Sequence, residues 1–207
     1  MNGTVLVRAP SSRLAEGIVT HISRMPVDME LARSQHAAYA DALTASGWVI
    51  RTAPAADDCP DSVFIEDTVV ICEDLAVLTR PGAAVRRPEV DGVAQTVRSL
   101  GLRTACIEDP GTLDGGDVLQ AGSTIYVGRG GRTNGEGIRQ LRALLAPLGR
   151  TVVGVPLGGD RVLIAASAPR TAELLDDLGF VPVVVDISEF EKLEGCVTCL
   201  SVLVPGR

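Results

Sequence analysis

Histidine is nearly absent from this chain. His21 and His36 are the only two among 207 residues, and both lie in the first fifth. Lysine is scarcer still: Lys192 stands alone, so a Schiff-base amine would have to be that residue. No apolar run approaches the roughly 18 residues that a membrane helix needs. The start, Met1-Asn2-Gly3-Thr4, lacks a basic segment with an apolar stretch behind it, so no signal peptide is expected. Positive charge is also short. A net charge of −7 argues against nucleic acid or an anionic membrane as partner. Five cysteines, an odd number at irregular spacing, fit a reducing cytoplasm better than a disulfide framework. Cys196-Val197-Thr198-Cys199 has CxxC spacing, but without a second pair or a nearby histidine it is weak support for zinc, and no metal is expected.

What is present suits one soluble α/β domain spanning residues 1–207, with 46% hydrophobic and 22% charged residues. A pattern recurs along it: a Val/Ile-rich strand, a loop, an amphipathic helix, a glycine and another strand. The first unit is Val5–Arg8, a helix about Glu30–Ala45, Gly47 and Trp48–Ile50. The second is Ala76–Arg80, a helix about Glu89–Leu100, Gly101 and Arg103–Ile107. The third is Ile125–Gly128, a helix Glu136–Leu148, Gly149 and Thr151–Val153. The fourth is Val162–Ala165, a helix Arg170–Leu178, Gly179 and Val181–Val185. Each glycine suits a helix C-terminus that turns left-handed. Pro88 and Pro169 suit helix starts. The glycines are 54, 48 and then only 30 residues apart, and the short interval contains the join Val155-Pro156-Leu157-Gly158-Gly159. Repeats of this length predict radial repetition or stacking; an ordinary layered α/β fold is the alternative.

Four groups of residues carry chemistry. Cys199, between Thr198 and Ser201, reads as a nucleophile or as a small buried hydrophobe. Asp61, Glu66 and Asp67 place three carboxylates in seven residues, a cage for a guanidinium or else a solvated acidic loop. An extended segment would put Asp61 and Asp67 on one face and Glu66 on the other. Asp114-Gly115-Gly116-Asp117 reads as a turn, with glycine supplying positive φ and Asp114 held rigidly. Arg86 and Arg132 follow strands and carry forks that match an amino acid's carboxylate, unless they are surface arginines. Cys59, Cys72, Cys106 and Cys196 read as structural.

With these motifs in order, the chain resembles the dimethylarginine dimethylaminohydrolases of the arginine deiminase, or pentein, superfamily. The matching stretches are Pro60–Asp67, Thr79–Gly82 with Arg86-Arg87, Pro110–Asp117, Arg132–Asn134 and Leu193–Gly195 through Thr198–Ser201. The resemblance implies a five-bladed α/β propeller of ββαβ-type units. It implies hydrolysis of N-methylated arginine to citrulline and a methylamine, with no cofactor, through a covalent thiolate intermediate. Carried over by position, Cys199 is the nucleophile and Asp114 its acidic partner, where many relatives have Glu. Asp67 pairs with the guanidinium, Asp61 is a substrate-binding acid with Glu66 beside it, and Arg86 and Arg132 hold the α-carboxylate.

One element of the family is missing. Its histidine lies in a hairpin after the strand equivalent to Val152–Pro156. Here the chain passes straight to Leu157–Val162, as if about one repeat were deleted near residues 156–159, while His21 and His36 resemble non-catalytic positions. The expected molecule is a shortened propeller, weakest around residues 155–162. Strand edges exposed there invite association, so a homo-oligomer is among the expectations. The expected activity binds substrate but turns over slowly or not at all. Two rival readings stay open: a non-catalytic arginine-binding or scaffolding relative, and a shortened form of a longer enzyme.

Overall fold

A computed structural model describes residues 3–20, 22–121, 123–149, 161–177 and 181–205. His21, the strand expected at Thr151–Val153, the join at Val155–Gly159 and Gly179 lie outside the described residues.

Among the described residues the repeated pattern appears as four small sheets. In the first, β1 (Gly3–Val7) lies between β2 (Val49–Thr52), parallel to it, and β10 (Val202–Pro205), antiparallel. Helix α1 (Met29–Ala45) makes the crossover. The second sheet pairs β3 (Val69–Cys72) antiparallel with β4 (Leu75–Leu78), which runs parallel to β5 (Arg103–Cys106) after helix α2 (Glu89–Ser99). The third is the hairpin β6 (Val118–Ala121) and β7 (Thr124–Val127), followed by helix α3 (Gly135–Leu145). The fourth pairs β8 (Arg161–Ala165) with β9 (Val181–Val185) in parallel across helix α4 (Pro169–Asp177). A parallel pair needs a crossover and a helix is the usual one, which is why the first, second and fourth units share a strand–helix–strand grammar. A short helix, α5 (Ser188–Glu191), precedes the last strand.

Local chemistry explains the boundaries. The Asp28 side chain accepts the Glu30 and Leu31 N–H groups and starts α1. Asn134 accepts the Gly137 N–H and starts α3. Gly47, Gly101 and Gly149 sit at φ 88, 74 and 61, the left-handed conformation expected at these helix ends.

Three apolar clusters knit the units together. One joins β1 and α1 to Val63, Phe64, Phe190, Leu193 and Leu200, so the C-terminal segment is packed onto the first unit. Another joins Leu6, Ile65, Val69 and Val93 to Val202 and Val204. The third seats Leu141 and Leu145 of α3 against Val70, Val77 and Leu113. The loops that carry the chemical motifs are therefore anchored by fully buried neighbours.

Candidate active site

The acidic stretch 61–67 is folded rather than extended. The Phe64 N–H bonds back to the Asp61 carbonyl at 2.9 Å, and Ile65–Thr68 make a 3-10 turn. The face-sharing expected from a strand period therefore does not apply. Each carboxylate goes its own way. Asp61, 5% exposed, accepts the Ile18 N–H at 2.9 Å and pins the segment after the first 3-10 turn. Asp67 accepts the Gly116 N–H at 3.0 Å and an Arg86 N–H at 2.5 Å. Glu66 turns toward the end of the chain, where its backbone N–H bonds to the Cys199 carbonyl at 3.3 Å. Thr198 and Cys199 act on its carboxyl, each working to lower its pKa.

Arg86 is buried, at 2% exposure. Its fork holds Glu89 at 2.9 and 2.8 Å and also reaches the carbonyls of Asp61 and Phe64. Burial alone would lower its pKa; the charges and hydrogen bonds of Asp67 and Glu89 overcome this and leave it above its ordinary value. Arg86 is thus fully engaged within the protein. Arg132 differs. Its side chain is about half exposed, and its Nε lies 3.6 Å from Asp114 Oδ2.

Asp114, 2% exposed, accepts the Gly82 N–H at 2.8 Å. Its own N–H bonds to Thr133 Oγ1, which donates to Asp117. Asp114 Oδ2 has no hydrogen-bond partner. Burial, then the Asp67 charge, pushes the Asp114 carboxyl above its ordinary range. The turn 114–117 is a 3-10 turn, and Gly115 is not at positive φ. Gly115 is needed for a different reason: a Cβ there would run into the Glu66 carbonyl. Glycine lets the Asp114 turn lie directly on the Glu66–Asp67 backbone.

Cys199 sits in the turn 197–200 before β10, rather than near a strand end. Its sulfur is 3.4 Å from that of Cys196. Cys196, read from the sequence as structural, belongs to this cluster; the CxxC spacing was the available signal. The pair shares its protons. The hydrogen bond from Cys199, with Thr198 helping, draws Cys196 down to about 5, while that same bond and burial push Cys199 up. Glu66 rises to about 7 because of burial, then the Asp67 charge. His36 lies elsewhere, on α1 against the Phe190 ring at 6.5 Å, and burial lowers its pKa. Among the described residues, no three His, Cys, Asp or Glu side chains gather as a metal site.

The contacts form one chain: Cys199 to Glu66, Asp67 to Arg86 and Gly116, and Asp114 to Arg132. Asp61 joins it through its carbonyl rather than its carboxylate. Glu89 and Thr133, which the sequence did not single out, hold its members in place.

Glu66 supplies a stability test. Its carboxyl holds a proton to about pH 7 when folded, against an ordinary value of 4.5. The native state therefore binds more protons than the unfolded chain between those values, and stability falls as pH rises across that window. Glu66→Gln should remove most of this slope and raise stability at pH 8 by about 2–3 kcal/mol. Urea unfolding at pH 5 and pH 8 measures both; an unchanged slope would show that Glu66 is not the group responsible.

A mixed α/β fold whose loops bring a cysteine, carboxylates and arginine together defines the class, the arginine-processing hydrolases of the pentein fold. No family model matches the chain. A curated relative does. The chain is 51% identical over 245 residues to the N(G),N(G)-dimethylarginine dimethylaminohydrolase of Streptomyces coelicolor, covering 95% of each chain. It therefore belongs to the dimethylarginine dimethylaminohydrolase family, hydrolases acting on C–N bonds of linear amidines. Solved structures agree. The Pseudomonas aeruginosa enzyme, a cysteine-to-serine variant complexed with citrulline, matches with TM-score 0.90 at 29% identity, over 99% of this chain and 100% of that one. A histidine-to-glycine variant of a dimethylarginine dimethylaminohydrolase, caught as an adduct with S-methyl-L-thiocitrulline, matches with TM-score 0.89 at 30% identity and the same coverage.

Proposed function

We propose that this chain binds N-methylated arginine and forms a covalent Cys199 intermediate, and that it releases citrulline slowly. The observation that carries the reading is the bond from the Glu66 N–H to the Cys199 carbonyl at 3.3 Å, which seats the cysteine turn one residue from Asp67 and across the glycine turn from Asp114. A guanidinium beside Glu66, Asp67 and Asp114 would satisfy carboxylates that burial otherwise penalises. Its positive charge would also favour the Cys199 thiolate. Attack on the guanidinium carbon then expels methylamine, and water must release the thiouronium-type intermediate as citrulline. Half-exposed Arg132 takes the substrate carboxylate, while Arg86 contributes by fixing Asp67.

The shortened chain belongs to the same proposal. The match to the Streptomyces relative runs over 245 residues but takes in only 95% of the 207 residues here, so it is longer than the part of this chain within it by about one repeat unit. That surplus supports a missing repeat; its position near residues 156–159, and the loss of the family histidine with it, rest on the order of the sequence motifs. Capture without the histidine has a precedent in the histidine-to-glycine relative, which holds its adduct with S-methyl-L-thiocitrulline.

The test is intact-protein mass spectrometry after mixing with S-methyl-L-thiocitrulline. One adduct per chain is expected, mapped to Cys199 and absent from Cys199→Ala. A chain that binds methylarginine but never gains mass would favour the non-catalytic binding reading.

A further inference from the structure

We propose that Cys196 and Cys199 form a reversible disulfide that switches the nucleophile off, with a small disulfide of the glutathione type as oxidant. The switching role rests on the reading of Cys199 as nucleophile; the bond itself rests on geometry alone. The two sulfurs are 3.4 Å apart, and a disulfide is about 2.05 Å, so about 1.4 Å of approach closes it. Cys199 lies in a tight turn, closed by the Ser201 N–H on the Thr198 carbonyl at 3.2 Å, and Cys196 stands immediately before it. Side-chain rotation within that turn can supply the movement.

The surroundings assign an order of events. Cys196 is exposed and Cys199 only partly so. The Cys196 sulfur also lies 3.2 Å from Thr198 Oγ1 and 3.4 Å from the Cys199 sulfur, contacts that hold it below an ordinary thiol and favour it as the attacking thiolate. Cys196 thiolate attacks one sulfur of the small disulfide; that S–S bond breaks and one thiolate leaves with the electron pair. Cys199 then loses its proton to solvent and attacks the Cys196 sulfur, expelling the second thiolate. Two cysteine thiols are oxidised and one small disulfide is reduced to two thiols. The product holds Cys199 in a bond that reductant reopens, and protects it from irreversible oxidation to the sulfinic acid.

The experiment titrates the full chain with mixtures of oxidised and reduced glutathione, blocks the remaining thiols with a maleimide, and maps peptides by mass. The expected product is a Cys196–Cys199 bridge with no glutathione attached and with Cys59 and Cys72, both buried, still free. Exposed Cys106 reports unselective oxidation. Capture of S-methyl-L-thiocitrulline should disappear with bridge formation and return with dithiothreitol. Cys196→Ser should form no bridge at any ratio. Persistent glutathione on Cys196 with Cys199 still free would overturn the proposal. A bridge in a chain whose reduced form never captures the amidine would instead overturn the nucleophile assignment, and the switching role with it.

Discussion

On dimethylarginine, citrulline release should run 10²–10⁴-fold below that of a relative retaining the family histidine, a barrier difference of about 3–5 kcal/mol. The departing amine needs a proton and the attacking water needs a base, so an imidazole titrating near neutrality would serve both steps. His36 cannot move into that role. It is packed on α1 against Phe190, and burial lowers its pKa. Asp114 is pushed above its ordinary range, but a carboxyl starting near 4 is poorly matched to an amine. Glu66, at about 7 and bonded to Cys199, is the best-placed remaining acid or base among the described residues. Residual turnover should therefore bend near pH 7, and the adduct should accumulate because its breakdown is the slower step. Stopped-flow and steady-state assays on purified protein, with Cys199→Ala as blank, read all of this. A rate matching an intact relative would show that another group does histidine's work.

Replacing Arg86 by methionine should cost about 3–5 kcal/mol of stability. The substitution keeps much of the volume but strands Asp67 and Glu89, which Arg86 pairs at 2.5 and 2.8 Å in a setting where Glu89 is fully buried. The pH dependence should reveal the cause. Burial already raises the Glu89 pKa, with Arg86 opposing it. Without Arg86 the folded state keeps the proton to higher pH than the unfolded chain does. The deficit should therefore shrink as pH falls and grow as pH rises. The exposed pair Arg13–Glu16 is the control, and Arg13→Met should be nearly silent. Equal losses at pH 4.5 and pH 8 would point to lost packing rather than stranded charge.

Legibility followed the range of the interactions. The helices and their glycine stops were readable because period and left-handed caps are local: Gly47, Gly101 and Gly149 lie where expected. The hairpin strands Val69–Cys72 and Val118–Ala121 were not singled out, because each pairs ahead of the strand that leads to a helix and so has no adjoining helix or glycine stop to mark it. Arg86 is the sharpest case. Val85 beside it is 70% exposed while the arginine is buried, a reversal accounted for by Glu89 one turn on and by Asp67 and the carbonyls of Asp61 and Phe64 some twenty positions back. The contact between Glu66 and Cys199 spans 133 positions, and nothing in either neighbourhood announces it. The ordered motifs indicated which residues belong together; the geometry of their meeting depends on long-range packing that no local pattern encodes.

The pairing of β1 with β10 has a consequence for the chain's birth on the ribosome. Gly3 lies opposite Pro205, so the first strand made waits for the last. At 5–20 residues per second, that wait lasts roughly 10–40 s. Throughout it, the Leu6 edge that Val202 later covers stands open to any passing strand. The turn that carries Cys199 emerges just ahead of β10, so a nascent chain carries Asp61, Glu66 and Asp67 for more than half of its synthesis before the Cys199 sulfur joins them.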